Sequence, residues 1–284
     1  MSDLIYNAGK LLDILTSEFQ KHNMEQSEAE AVAILAELLQ CNRVQAKLDR
    51  QRKISAEIYE KGLQIMQRRI SNEPWQYIFQ RAYFRDLELM VTPSVLIPRP
   101  ETELLVDWCI KYLPQGASVL DLGTGSGAIA LSLATERRDL RVTACDVSTQ
   151  ALQVAKTNAA NCAASQVEFI ESDLFSNLSG RKFDLIAANL PYVTEEEYTT
   201  LSAEVHDYEP KLALTSGDDG LDLIRCAIAE APQYLNMRGA MILEMSDWQT
   251  EIAAELFADS LQWTAIEIIR DYTNRRRFTA ARLR

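Results

Sequence analysis

Residues 118–136 read SVLDLGTGSGAIALSLATE, and the fold turns on how this stretch is read. Ser118 to Leu122 form a short apolar strand that runs into Gly123-Thr124-Gly125-Ser126-Gly127, and an apolar helix follows through ALSLATE. Glycine has no side chain and tolerates positive φ, so such a loop brings backbone amides and a helix N-terminus close to a ligand. With Ala128 the loop satisfies the dinucleotide fingerprint G-x-G-x-x-G/A, and Asp146, at the end of the next strand, has the spacing of a ribose-binding carboxylate. The loop therefore points to a nucleoside ligand without saying which. Asp121, two residues before the first glycine, is expected to put a carboxylate at the loop mouth. There it suits the cationic amino acid end of S-adenosylmethionine and opposes a pyrophosphate.

Outward from the loop, strands and helices alternate: VTACDV, a helix through LQVAKTNAA, VEFIESD, FDLIAAN, a helix through LDLIRCAIAEA, AMILEM and a helix through EIAAELF. Strands separated by helices of this length make a parallel sheet covered on both faces. TAIEIIRD and RRRFTAARL, parted by Tyr272 to Asn274, predict a final antiparallel hairpin and bring the sheet to seven strands. Upstream, from Leu4 to about Ile70, apolar residues recur three and four apart without a proline, so a small helical bundle is expected, with Ser27 and Glu30 as a capping box. Its later part is locally basic, with Arg43, Lys47, Arg50, Arg52, Lys53, Lys61, Arg68 and Arg69: a solvated face, or a docking surface for an acidic partner. After Glu73-Pro74-Trp75, YIFQRAYFRDLELMV reads as two short strands joined at Arg85-Asp86. The expected domains are a helical 1–73, a hairpin linker 74–97 and an α/β domain 98–284.

Two strand ends carry the candidate chemistry. Ser172-Asp173-Leu174-Phe175 offers a carboxylate for an exocyclic amine and an apolar surface for adenine. FDLIAANLPYV, residues 183–193, starts as a buried strand and stops on an amide, a proline and an aromatic ring. Pro191 forces Leu190 into an extended conformation, so the oxygens of the Asn189 side chain and the Leu190 main chain are held in fixed directions. Together they accept both N–H groups of a planar NH₂, with the Tyr192 ring over its plane. Such nitrogens are poor nucleophiles, which calls for a strong electrophile such as a sulfonium methyl and for catalysis by positioning.

Composition narrows the classes. No apolar run reaches the roughly 18 residues of a membrane span, and Asp3 and Asp13 lie where a signal peptide is basic and then apolar, so a cytoplasmic protein is expected. Cys41, Cys109, Cys145, Cys162 and Cys226 include no Cys-x-x-Cys pair, which argues against a disulfide framework and a zinc or other metal site. His22 and His206 are the only histidines, and neither lies near a nucleophile turn. With 41 acidic against 29 basic residues, the net charge of −12 disfavours a nucleic-acid substrate.

The residues Trp75-Gln76-Tyr77-Ile78, VLIPRPETE, DLGTGSGAIAL, Asp146, Ser172-Asp173, Asn189-Leu190-Pro191-Tyr192 and YEPKLAL at 208–214 resemble the HemK/PrmC family, glutamine methyltransferases acting on peptide chain release factors. The resemblance covers almost the whole chain. It implies a Rossmann-like class I methyltransferase domain and methyl transfer from S-adenosylmethionine to the glutamine amide of the release factors' Gly-Gly-Gln motif. By the same resemblance Gly123, Thr124, Gly125, Ser126, Gly127, Asp146, Leu174 and Asn189 hold the cofactor, Asn189 to Tyr192 hold the glutamine, and the helical domain contacts the release factor. The family usually has a proline at the position of Leu190, and it commonly shows glycines that Glu244-Met245-Ser246 and Asp271 to Asn274 lack. A ribosomal-protein glutamine methyltransferase is the near alternative. The motif also looks like that of ribosomal RNA adenine dimethylases, but the acidic charge and VLIPRPETE argue against adenine methylation.

Overall fold

Leu11, Leu12, Leu15 and Phe19 recur at helical spacing, and in the computed structural model, which describes residues 6–284, they are the buried stripe of the first helix. A two-residue strand β1 (Tyr6–Asn7) leads into α1 (Ala8–Lys21), whose Lys10 amide is capped by Asn7 Oδ1 at 2.8 Å. Helices α2 (Ser27–Leu39) and α3 (Arg43–Leu48) follow, then strand β2 (Lys53–Ile54), which pairs with β1, then α4 (Ala56–Ile70) and a single turn α5 (Trp75–Ile78). The helical reading from Leu4 begins outside the described residues, as does Asp3.

Three details of this unit differ from expectation. Ser27 does not cap α2; its hydroxyl donates to the Met24 carbonyl at 2.7 Å. Glu30 reaches instead to the buried Arg69 guanidinium at 3.1 and 3.2 Å, because a buried cation without a counter-ion costs more than a lost cap. Tyr77 and Ile78 are helical rather than extended, because Pro74 starts a turn in which both amides donate to its carbonyl. The locally basic stretch is also largely paired: Arg50 with Asp13, Lys47 with Glu28, Arg68 with Glu73. Arg43, Lys53 and Lys61 stay exposed.

The chain divides into compact units at Ile78/Phe79. The second unit opens with the hairpin β3 (Ala82–Phe84) and β4 (Leu87–Leu89), turned at Arg85-Asp86. Helix α6 (Thr102–Tyr112), an addition to the expected elements, buries Leu105, Val106, Trp108 and Cys109. The alternation then proceeds as expected: β5 (Ser118–Leu122), α7 (Ala128–Glu136), β6 (Arg141–Asp146), α8 (Thr149–Asn161), β7 (Glu168–Glu171) and β8 (Phe183–Ala188). Two short turns, α9 (Glu195–Tyr198) and α10 (Ala203–His206), precede α11 (Asp222–Glu230), β9 (Leu235–Glu244), α12 (Gln249–Asp259), β10 (Trp263–Arg270) and β11 (Arg276–Leu283).

The seven strands lie in the order β10-β11-β9-β8-β5-β6-β7, parallel from β9 to β7, with β11 antiparallel to both β9 and β10. Apolar clusters cover both faces: one holds Val119, Val142 and Leu185 against α6 and α7, the other Leu120, Ile186 and Met241 against α11 and α12. The chain leaves β5 toward β6 on one side, while β8 flanks it on the other. This is the switch point beyond whose carboxyl edge open sheets bind ligands. Among the described residues no helix is long and apolar enough to cross a membrane, and all five cysteines are free thiols.

Candidate active site

The glycine loop is held by its neighbouring strand. Gly123 and Thr124 both donate to the Cys145 carbonyl at 2.9 Å, and Gly127 donates to Thr124 at 2.8 Å. Gly123 has φ +78, and a Cβ there would stand 3.0 Å from Leu190 Cδ2, so glycine lets the loop pass the strand end that carries Asn189 without backbone strain or displacement of that side chain. Asp146, at the end of β6, accepts from the Gly125 amide at 2.8 Å and the Ser148 amide at 2.9 Å. Burial raises its pKa against the pull of those amides. Each carboxylate oxygen keeps a second lone pair for a ligand hydroxyl.

Beyond β7, Ser172 donates to the Leu174 carbonyl at 2.7 Å and accepts from the Asn177 amide at 3.0 Å. This clamp holds Leu174 in a left-handed conformation, φ +43, which costs a β-carbon residue about 1 kcal/mol or more. At the end of β8, the Asn189 Nδ2 donates to Thr102 Oγ1 at 3.2 Å. Thr102 opens α6, and the buried Glu244 carboxyl at the end of β9 is close enough to its hydroxyl to be stabilised by it. Burial pushes Glu244 up to about 7, opposed by Thr102, Arg277 and Arg99 and reinforced by Glu101.

These strand ends enclose one cavity of about 410 Å³, within the range of small-molecule sites. Gly123, Thr124, Gly125, Ser126, Asp146, Ser172, Asp173, Leu174, Asn189, Leu190 and Pro191 all line it. The remaining wall joins two distant segments that the sequence reading marked without relating: the Arg99 guanidinium donates to the buried Glu209 carboxylate at 2.6 Å, and the Ile97 amide to its other oxygen at 3.2 Å. VLIPRPETE and YEPKLAL are thus pinned together, with Arg99, Pro210 and Leu212 facing the cavity.

Three residues are placed otherwise. Gly127 shapes the turn into α7 without lining the cavity. Asp121 is fully buried and absent from the lining: its Oδ2 takes the Thr124 hydroxyl at 2.6 Å and the Ala130 amide at 3.1 Å, which staples the loop to α7 rather than offering charge at the mouth. Its pKa rises to about 7 through burial. Tyr192 packs against the second core cluster, beside Glu244 and Arg277, and its hydroxyl is pushed up to about 12, mainly by burial. Its carbonyl is gripped by Gln249 Nε2 at 2.9 Å, and Gly220 passes so close to that carbonyl that a Cβ would overlap it. Thr102, Arg99, Glu209, Glu244 and Gln249 are supporting residues that spacing did not reveal, because their partners lie far away in sequence.

A family model described as Methyltransferase small domain matches residues 100–207, and one described as PrmC N-terminal domain matches residues 10–79. The release factor glutamine methyltransferase of Geobacter sulfurreducens is 35% identical over 254 residues, which span 89% of this chain and 89% of its own. Its counterpart from Nitratidesulfovibrio vulgaris is 37% identical over 272 residues, 92% of each chain. Among solved structures, a methyltransferase from Pyrococcus furiosus superposes with a TM-score of 0.53 at 19% identity, covering 70% of this chain and 89% of its own, a likeness of fold alone.

Proposed function

The chain belongs to the release factor glutamine methyltransferase family, and from that premise we propose that its cavity binds S-adenosylmethionine beside the side-chain amide of a release-factor glutamine in a Gly-Gly-Gln motif. The observation that carries the reading is that Asn189 and Leu190 line the same cavity as the glycine loop and Asp146. The donor set fits a nucleoside sulfonium: Asp146 has lone pairs to spare for ribose hydroxyls, Leu174 and Val147 give an apolar wall, and no basic cluster suited to a pyrophosphate lines the cavity.

S-adenosylmethionine, when bound, supplies an electrophilic methyl carbon. The protein's own part is positioning. An amide nitrogen donates its lone pair poorly, and fixing its direction is worth up to roughly 7–11 kcal/mol. Asn189 Oδ1 and the Leu190 carbonyl accept the two N–H groups and leave the lone pair facing the methyl carbon. Leu190 keeps its carbonyl and is restrained by Pro191, so replacing the family's proline leaves the oxygen in its role.

Release-factor docking we assign to the helical residues 1–73, with a hairpin linker over 74–97 and the transfer chemistry in 98–284. Exposed Val44 and Leu48 beside Arg43 and Lys47 on α3 support that assignment. Five free thiols suit a reducing cytoplasm. The test is to incubate the purified chain with radiolabelled S-adenosylmethionine and, separately, release factor, ribosomal protein and RNA. Label on the Gly-Gly-Gln glutamine is the expected result; label on RNA or ribosomal protein alone would refute the proposal.

A further inference from the structure

Asn189 can serve this reaction only with its amide the right way round. A half-turn about the bond to the amide carbon would present NH₂ donors to the substrate's own NH₂, and neither group has an acceptor to offer there. Isosteric orientations of this kind are decided by the partners of the distal group. The Asn189 side chain makes a hydrogen bond from Nδ2 to Thr102 Oγ1 at 3.2 Å. A threonine hydroxyl can either accept or donate, so this bond alone does not settle the direction; what settles it is where the single hydroxyl hydrogen goes.

Thr102 is 4% exposed and sits at the start of α6, and its hydroxyl also stabilises the nearby Glu244 carboxylate. Glu244 is 1% exposed, and its Oε2 is buried with no hydrogen-bond partner. In its ionised form Glu244 only accepts, so it draws the threonine hydrogen and leaves the hydroxyl lone pairs to accept from Asn189. We infer that Thr102 is a positioning residue that holds the Asn189 amide with Oδ1 toward the cavity, and that buried Glu244 sets the direction of this hydrogen-bond chain. The inference rests on the role given to Asn189 above and extends the site to a third layer, from β9 through α6 to the end of β8. It also gives a reason for the cost of burying Glu244 beneath the cavity with one oxygen unpaired, which a purely structural residue would not need to incur.

The experiment compares variants of the full chain in steady-state methylation of release factor, with S-adenosylmethionine affinity measured separately. Thr102→Val keeps shape and removes the hydroxyl; kcat is expected to fall about 10–100-fold while the release-factor KM and cofactor Kd change less than about threefold. Thr102→Ser restores the hydroxyl and is expected to recover most of the lost rate. Glu244→Gln, which can donate to the threonine oxygen as well as accept from it, is expected to fall between the two. Wild-type kcat in Thr102→Val, or a serine variant as slow as the valine one with cofactor affinity intact, would overturn the inference. If Thr102→Val does not fold, Thr102→Ala and Glu244→Gln carry the same test: lower kcat at retained cofactor affinity supports it, and wild-type kcat in both contradicts it. Asn189→Ala, run alongside, separates the levels. Undiminished turnover there sinks the role of Asn189 itself, whereas a dead Asn189→Ala beside a fully active Thr102→Val sinks the Thr102 inference alone.

Discussion

On the β5–β6 bank of the cavity the chain is held by its own backbone: the Cys145 carbonyl takes two loop amides, Asp146 takes two more, and positive φ at the glycines keeps side chains out of the way. On the β8–β9 bank the backbone is held by buried side chains from distant segments: Thr102 and Glu244 behind Asn189, Gln249 behind the Tyr192 carbonyl, and Glu209 behind Arg99. The first arrangement is local and tolerant, since each bond spans a few residues or one strand neighbour. The second is long-range and brittle, since deleting one partner leaves another buried and unpaired. Under the proposed function the difference suits a division of labour, with a cofactor gripped by many equivalent contacts and an unreactive amide aimed by a few oxygens whose direction matters.

The comparison yields predictions of graded size. Asn189→Ala should break the aiming bank outright, lowering kcat about 10³-fold while S-adenosylmethionine affinity falls only modestly; equilibrium binding beside turnover kinetics checks the split. A pH titration of stability sharpens the cost of that bank. Glu244 titrates near 7 in the folded protein against a reference of 4.5, so the folded state binds its proton more tightly than the unfolded state. The stability it contributes is present below about 4.5 and is lost as pH rises to about 7, by at most about 3 kcal/mol. Thermal melts of Glu244→Gln should therefore decline less between pH 5 and 8 than those of the wild type. Asp121 titrates in the same window and is common to both proteins, so the difference between the two curves isolates Glu244. Arg277, Arg99, Glu101 and Tyr192 face Glu244 and are likewise unchanged.

On the gripping bank, Asp146→Ala should weaken S-adenosylmethionine binding about 10–100-fold, the worth of losing hydrogen bonds to a charged acceptor, with kcat at saturating cofactor nearly retained. Gly123→Ala is expected to do least, about 1–2 kcal/mol of stability, since it forces a Cβ into a left-handed backbone and against Leu190. Calorimetry reads that loss. A larger fall in kcat than in stability would show that the loop and Asn189 are coupled through Leu190.

The two banks also differ in how far they could be read from sequence. The glycine loop, Asp146 and the Asn189 turn are contiguous motifs at strand ends, and alternating strands and helices bring them to one cavity, so their meeting is legible in the sequence. Asp121 departs from expectation: its residue type suggests charge at the mouth, whereas the Thr124 hydroxyl and the Ala130 amide draw it inward. The Tyr192 ring is expected over the substrate; in the structure it is partly buried against the second core cluster and does not line the cavity, because its apolar body packs there. The capping box failed for a related reason, since a buried arginine outcompeted a helix amide for Glu30. Thr102 lies in VLIPRPETE and Glu244 opens Glu244-Met245-Ser246, but neither stretch says what these side chains touch: a threonine opening a helix, a glutamate ending a strand and, at Gln249, a glutamine in a helix's first turn acquire meaning only once the sheet is assembled. Helix α6 is legible after the fact, since Leu105, Val106, Trp108 and Cys109 carry ordinary helical spacing directly after VLIPRPETE.

The central claim concerns two oxygens, and the most direct measurement is a structure of the chain bound to S-adenosylhomocysteine and a peptide containing Gly-Gly-Gln. The account predicts the glutamine amide nitrogen about 3 Å from both Asn189 Oδ1 and the Leu190 carbonyl oxygen, with the sulfur in line on its far side. A glutamine bound in the cavity with Asn189 presenting Nδ2, or with the Leu190 carbonyl turned away from the substrate, would contradict it.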